Sequence, residues 1–127
     1  MDILLDTHAV IWFFEDDERL SQSAKESIFD LNSMIHVSIA SLWEFAIKLS
    51  AGKLAFDGGI DGFIEAVYEN EFTLLEIAPK HIKMITALPF VHRDPFDRII
   101  VAQAMVEDMT IVTADNNIVK YGISHIW

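Results

Sequence analysis

Short apolar runs alternate along this chain with segments whose apolar residues recur every three or four positions, the pattern of strands alternating with amphipathic helices. Ile3-Leu4-Leu5 predicts a first strand that ends at Asp6. Helical spacing follows over about residues 9–15 and again over 21–31, the second stretch capped by Ser21. Met34-Ile35-His36-Val37 reads as a second strand, followed by a helix from about Ser41 to Ser50 that stops before Gly52. Residues 53–62 hold three glycines and read as a loop, before a helix over about 62–70 and a short strand, Thr73-Leu74-Leu75. Pro79 opens a helix to about Leu88, and Pro95 opens another to about Asp108. Thr110-Ile111-Val112 is a fourth strand, a short helix starts near Asp115, and Ser124-His125-Ile126 reads as a fifth strand. Strands and helices in turn predict an α/β domain built on a parallel sheet.

With 127 residues, 52% of them hydrophobic, the chain reads as a single domain, 1–127, with material for a proper core. It has no cysteine, which excludes disulfides and thiolate metal sites and fits a reducing cytoplasm. Asp2 and Asp6 stand where a secretion signal needs basic residues, and no stretch approaches the roughly 20 apolar residues of a membrane span, so a cytoplasmic protein without membrane partners is expected. Nine Lys and Arg against 20 Asp and Glu leave a net charge of −11. Nucleic-acid binding is driven by basic side chains meeting phosphates, so such a chain is a poor passive binder. A polyanionic substrate would require metal ions to offset the charge, or contacts that are few and local. The acidity also suits a cationic protein partner.

In open parallel sheets, ligands bind beyond the carboxyl ends of the strands, and several acids fall there. Asp6 follows the first strand, Glu44 lies early in the helix after the second, and Asp115 follows the fourth. Asp94 and Asp97 flank the start of the Pro95 helix. Each has an ordinary explanation. Ser41-Leu42-Trp43-Glu44 reads as a capping box, Asp94-Pro95-Phe96-Asp97 as an N-cap with a first-turn acid, Asp115 as another cap, and Asp6 as a turn initiator. Together they point elsewhere. Carboxylates gathered at one sheet edge repel one another unless a cation lies between them, and oxygen-only donors favour Mg²⁺ or Mn²⁺ over zinc. Such a cluster is a standard means of hydrolysing a phosphodiester.

Other chemistries fit less well. The five histidines (8, 36, 81, 92 and 125) have no helical zinc spacing, and there is no nucleophile elbow, P-loop or dinucleotide fingerprint. His8 and His92 lie close to the acids in sequence and are candidates for a supporting role. Trp12, Phe13, Phe14, Trp43 and Phe45 read as core. Lys48 and Arg98 stand four residues after Glu44 and Asp94, as plain helical ion pairs, as props for the carboxylates, or as phosphate contacts.

Four segments carry a family resemblance: Leu4-Leu5-Asp6-Thr7-His8, Ser38-Ile39-Ala40-Ser41-Leu42-Trp43-Glu44, Arg93-Asp94-Pro95-Phe96-Asp97-Arg98 and Val112-Thr113-Ala114-Asp115. In this order and spacing they resemble PIN-domain toxins of the VapC type. The resemblance implies a three-layer α/β/α sandwich with a central parallel sheet of about five strands. It implies a metal-dependent endoribonuclease whose catalytic and metal-binding quartet is Asp6, Glu44, Asp97 and Asp115, holding Mg²⁺ or Mn²⁺. Thr7 and Thr113 match hydroxyl positions beside the quartet, Asp94 a structural or auxiliary acid, and Arg98 a supporting residue. An RNA substrate, homodimerisation and silencing by a cognate antitoxin are implied as well. Two alternatives stay open: a catalytically silent PIN-like module that binds RNA or protein, and a haloacid-dehalogenase-like phosphatase. The second lacks the acid two positions after Asp6, where His8 stands.

Overall fold

The first strand dictates the layering, because its successive side chains enter two opposite faces and both are buried. In the computed structural model, which describes residues 1–127, β1 (Asp2–Leu5) sends Ile3 and Leu5 into one apolar cluster and Leu4 into another, and all three are buried. A strand buried on both faces belongs at the centre of a covered parallel sheet. The chain continues through α1 (Thr7–Phe14), α2 (Gln22–Phe29), β2 (Met34–Ser38), α3 (Ile39–Ser50), α4 (Gly59–Glu69) and β3 (Thr73–Leu75). It ends with α5 (Pro79–Ile85), α6 (Pro95–Glu107), β4 (Thr110–Val112), α7 (Asn116–Val119) and β5 (His125–Ile126). The five strands are all parallel, in the order β3-β2-β1-β4-β5. The expected α/β/α sandwich is present. One face of the sheet is covered by Ala9 and Val10 of α1, Ala24 and Ile28 of α2, and Phe63 and Val67 of α4. The other face is covered by α6, from Ile99 to Ala104, with Ile118 of α7.

The order of the strands reverses at β1, since the chain winds outward through β2 and β3 and then returns to place β4 on the other side. This switch point opens a crevice beyond the carboxyl ends of β1 and β4, the place where doubly wound sheets bind ligands. Asp6 and the Thr113–Asp115 segment are the first residues past those two ends.

Two element starts differ from the sequence reading. α3 begins directly at the end of β2, with Ser38 as its cap, its Oγ accepting from the Ala40 N–H at 3.0 Å. Ser41 therefore sits inside the helix, and the Ser41–Glu44 capping box does not form. α4 begins at Gly59, so residues 59–62 are helix and not loop. Gly58 takes a left-handed φ of 78° at the cap, and a Cβ at Gly62 would collide with the Asp57 carbonyl. The glycines serve the close approach of a helix start. α5 ends at Ile85 and is carried to Leu88 by three tight turns that bond i to i+3, from Thr86, Ala87 and Leu88. No helix is long and apolar enough to cross a membrane.

Candidate active site

At the switch point, Asp6 is 4% exposed and both of its carboxylate oxygens are engaged. Oδ1 accepts from the Ala9 N–H at 2.8 Å, making Asp6 the N-cap of α1, and Oδ2 accepts from the Thr113 hydroxyl at 2.5 Å. The Thr113 hydroxyl in turn accepts from the Asp115 N–H at 3.0 Å, which ties the end of β4 to the end of β1. Asp115 caps α7 by accepting from the Asn117 N–H. Thr7, buried, shares a 2.9 Å hydrogen bond with the Ser41 hydroxyl of α3. Asp6, Asp115, His8 and Trp12 line a hollow of about 240 Å³.

Glu44 lies in the second turn of α3, where it caps nothing. Its Oε2 pairs with Lys48 Nζ at 3.4 Å, but its Oε1 is buried and has no hydrogen-bonding partner. A buried carboxylate oxygen is rarely left bare. Asp94 does cap α6, accepting from the Asp97 N–H at 3.0 Å. Asp97, in the first turn, receives instead the Nε2 of His92 at 3.1 Å.

The electrostatics join these acids into one site. Burial pushes the Asp6 carboxyl up from 3.8 to about 6, against the lowering effect of Thr113 and Ala9, with Asp115 and Glu44 adding like charge. Burial likewise pushes Asp97 up to about 6, its bond to His92 opposing, with Asp94, Asp115 and Glu44 raising it further. Asp6 and Asp97 thus each sense the charge of both Asp115 and Glu44, which links the expected quartet. No three His, Asp or Glu side chains converge closely enough to bind an ion directly. Mg²⁺ commonly keeps several waters and takes only one or two carboxylates directly, so these acids would hold it partly through water. The oxygen-only donors, the bare Glu44 Oε1 and the like-charge strain fit a hard divalent cation.

Among the histidines, His92 alone contacts one of the acids, while His8 is exposed against Trp12 at 5.5 Å. His36 pairs with Asp2, and His81 bridges the Ala78 N–H and Glu107 at the far side of α6. Arg98 departs from two of the roles considered for it. It neither pairs with Asp94 nor faces solvent for a phosphate. Buried, its Nη1 donates to the Pro89 carbonyl and to the Tyr121 hydroxyl, each at 2.9 Å. Phe45 is core, and Trp12, Phe13 and Phe14 pack on its border, but Trp43 is 60% exposed, meeting Phe96 edge-on at 5.1 Å. Tyr121 escaped the sequence reading, and Ser41 entered it only as a helix cap and not as the partner of Thr7. Both are ordinary residues whose partners are far along the chain, and nothing in local spacing marks them.

Comparison with known proteins supplies an independent view. The family profile of the PIN domain matches residues 3–123. No curated protein matches the sequence. Among solved structures, VapBC2 from Rickettsia felis, bound to a DNA fragment from its promoter, superposes with a TM-score of 0.74 at 15% identity, covering 98% of this chain and 97% of that one. VapBC-1 from nontypeable Haemophilus influenzae gives 0.71 at 14% identity, covering 98% and 96%. The PIN domain endonuclease Utp24 gives 0.54 at 14% identity, covering 94% and 75%. At such identities these likenesses speak for the fold, and the family match covers nearly the whole chain. The chain belongs to the PIN domain family.

Proposed function

We propose that this chain, read as a single domain over 1–127, is a divalent-metal-dependent endoribonuclease and the toxin of a type II toxin–antitoxin pair acting in the cytoplasm. The observation that carries the reading is the like charge that Asp115 and Glu44 impose on both Asp6 and Asp97 across the switch point, with one buried oxygen of Glu44 left without a partner. A set of capping residues has no reason to hold such strain, and a passive binder of a polyanion has none either. Two neighbours in structure are VapBC assemblies, and a third is an endonuclease, which agrees with the reading.

The quartet would hold Mg²⁺ or Mn²⁺, which when bound supplies charge neutralisation for the scissile phosphate and activates water. Asp6, fixed on both oxygens by Ala9 and Thr113, presents its carboxylate without rearrangement. Glu44 offers its bare Oε1, while Lys48 restrains the other oxygen. Asp115 is held in register with Asp6 by the shared Thr113 hydroxyl. Asp6 is a poor candidate for a covalent nucleophile with both oxygens occupied, which weighs against a phosphatase of the aspartyl-phosphate kind.

Charge sets the manner of substrate binding. The hollow beside the acids shares its His8–Trp12 wall with a second hollow lined by Arg19, Lys48 and Lys53. Three of the nine basic residues thus stand next to the acid cluster, and RNA would be gripped locally, by phosphates at these cations and bases near Trp12. The acidic site suits a cationic antitoxin segment. Exposed Trp43 and Ile82, which border an apolar hollow of about 200 Å³ with Phe96, give a partner or a second copy apolar footing.

The test is inducible expression in bacteria of the wild type beside Asp6→Asn, following growth and mapping RNA ends across the transcriptome. Growth arrest with new ends at discrete sites, both absent in the variant, is the expected outcome. Equal growth and identical RNA ends, with both proteins soluble, would make a silent binding module the better reading.

A further inference from the structure

A partly buried chain of hydrogen bonds runs from Arg98 to Asp97 through Tyr121, distant in sequence, and His92. Arg98 Nη1 donates to the Tyr121 hydroxyl at 2.9 Å, that hydroxyl lies 2.9 Å from His92 Nδ1, and His92 Nε2 lies 3.1 Å from Asp97 Oδ2. We propose that Arg98, Tyr121 and His92 are positioning residues that lock His92 in its Nε2–H tautomer and thereby fix the orientation of the Asp97 carboxylate toward the metal.

The direction of each bond follows from its neighbours. A guanidinium only donates, so the Tyr121 oxygen accepts from Arg98 and its own proton is free to point onward. The group that receives it is His92 Nδ1, which must then be the unprotonated nitrogen. The proton of the ring is left on Nε2, where it faces the Asp97 carboxylate. The opposite tautomer would set a bare nitrogen lone pair against Oδ2. A doubly protonated ring would bring a second positive charge toward the hydroxyl that Arg98 already holds and leave the Tyr121 proton without His92 as its acceptor. The Nε2–H tautomer gives each of the four groups a donor or acceptor of the right kind.

Arg98 gives a second reason. It is 6% exposed, lies with its guanidinium 4.5 Å from the Phe90 ring centre, and forms an ion pair with no carboxylate. A buried cation without a counter-charge is costly, and the nearest acid reached through its hydrogen bonds is Asp97. The relay thus sets Arg98 to answer an acid it does not touch. Ligating carboxylates are held by outer partners of this kind, whose loss typically costs about 10- to 100-fold in metal affinity.

This inference rests on the metal-site reading of Asp97, but its test needs no RNA cleavage. Nitrogen-15 correlation spectra of metal-free protein at pH 7.5 should show His92 with Nε2 protonated and Nδ1 bare. Tyr121→Phe, which keeps the ring and removes the hydroxyl, should release a mixture of tautomers and weaken Mn²⁺ binding, read by titration calorimetry, about 10-fold. His92→Gln places an amide N–H near the Nε2 position and should keep most of the Mn²⁺ affinity that His92→Ala loses. A wild-type His92 protonated on Nδ1, or a folded Tyr121→Phe with unchanged tautomer and unchanged Mn²⁺ affinity, overturns the relay. RNA cleavage by such an unaffected variant would leave the nuclease reading standing, whereas intact Mn²⁺ and tautomer results in a protein that cuts no RNA would overturn the nuclease reading alone.

Discussion

Asp6 shows how one residue carries two roles with opposite energetic signs. As an N-cap it stabilises α1, through its bond to the Ala9 N–H. As a buried anion beside Asp115 and Glu44 it destabilises the metal-free fold, its carboxyl raised from 3.8 to about 6. The folded chain thus holds this proton more tightly than the unfolded chain does. Between about pH 4 and pH 6 it binds more protons, and stability falls as pH rises through that window. A carboxyl raised this far carries about 3 kcal/mol, an upper bound on the strain present above pH 6. Asp6→Asn keeps a good cap and removes the charge. Urea unfolding of metal-free protein should then show the variant as stable as wild type at pH 4 and more stable at pH 7.5. A loss at both pH values would mean that the carboxylate is chiefly structural. Added Mn²⁺ should stabilise the wild type and leave Asp6→Asn unmoved.

Helix starts decide which acids are free for chemistry. α6 is capped by Asp94, which leaves Asp97 to face His92, and α3 is capped by Ser38, which leaves Glu44 without a backbone partner. Asp94→Ala should cost about 1 kcal/mol in thermal or urea unfolding, and Asp94→Asn much less, since asparagine caps as well. If Asp94 acts only through the helix, RNA cleavage by Asp94→Asn should stay near the wild-type rate, and a collapse of cleavage with full stability would give it a direct part in the chemistry.

The same helix starts mark the limit of what the chain shows before folding. Strand and helix order was legible because each run is short, strongly apolar and bounded by a cap, a proline or a glycine. The beginning of α3 was not, because Ser38 and Ser41 are both suitable caps and Glu44 three residues after Ser41 favours the wrong one; the strand leads into the helix with no loop to break the tie. The acids stood out because Asp6 and Asp115 closely follow strands and Glu44 and Asp97 fall early in helices marked by their own cap signals. The role of Arg98 did not, because Pro89, in the segment between α5 and α6, and Tyr121, just after α7, are brought to it by tertiary packing and by no local pattern.

On the scale of the whole molecule, a net charge of −11 sets the terms on which the proposed RNA substrate would be met. A protein that covers its substrate with basic surface loses about 10³- to 10⁵-fold in affinity between 50 and 200 mM salt. Here the cations beside the acid cluster are Arg19, Lys48 and Lys53, and two of them already serve Asp17 and Glu44. At most three phosphates can be neutralised there, so the slope of log affinity against log salt should be no steeper than about −2, at roughly 0.7 per contact for a single strand. That is a loss of about 20-fold over the same range. Fluorescence anisotropy of a labelled single-stranded RNA on Asp6→Asn would measure it without cleavage. Lys53, which forms no ion pair in the chain, is the cation most free to meet a phosphate, and Lys53→Gln in that background should flatten the slope by about 0.7. A slope several times steeper, indifferent to Lys53, would place the RNA on a surface made by more than one chain. In that case the acidity of this molecule would be offset by a partner's charge, and the local grip described for Trp12 and its neighbouring cations would be wrong.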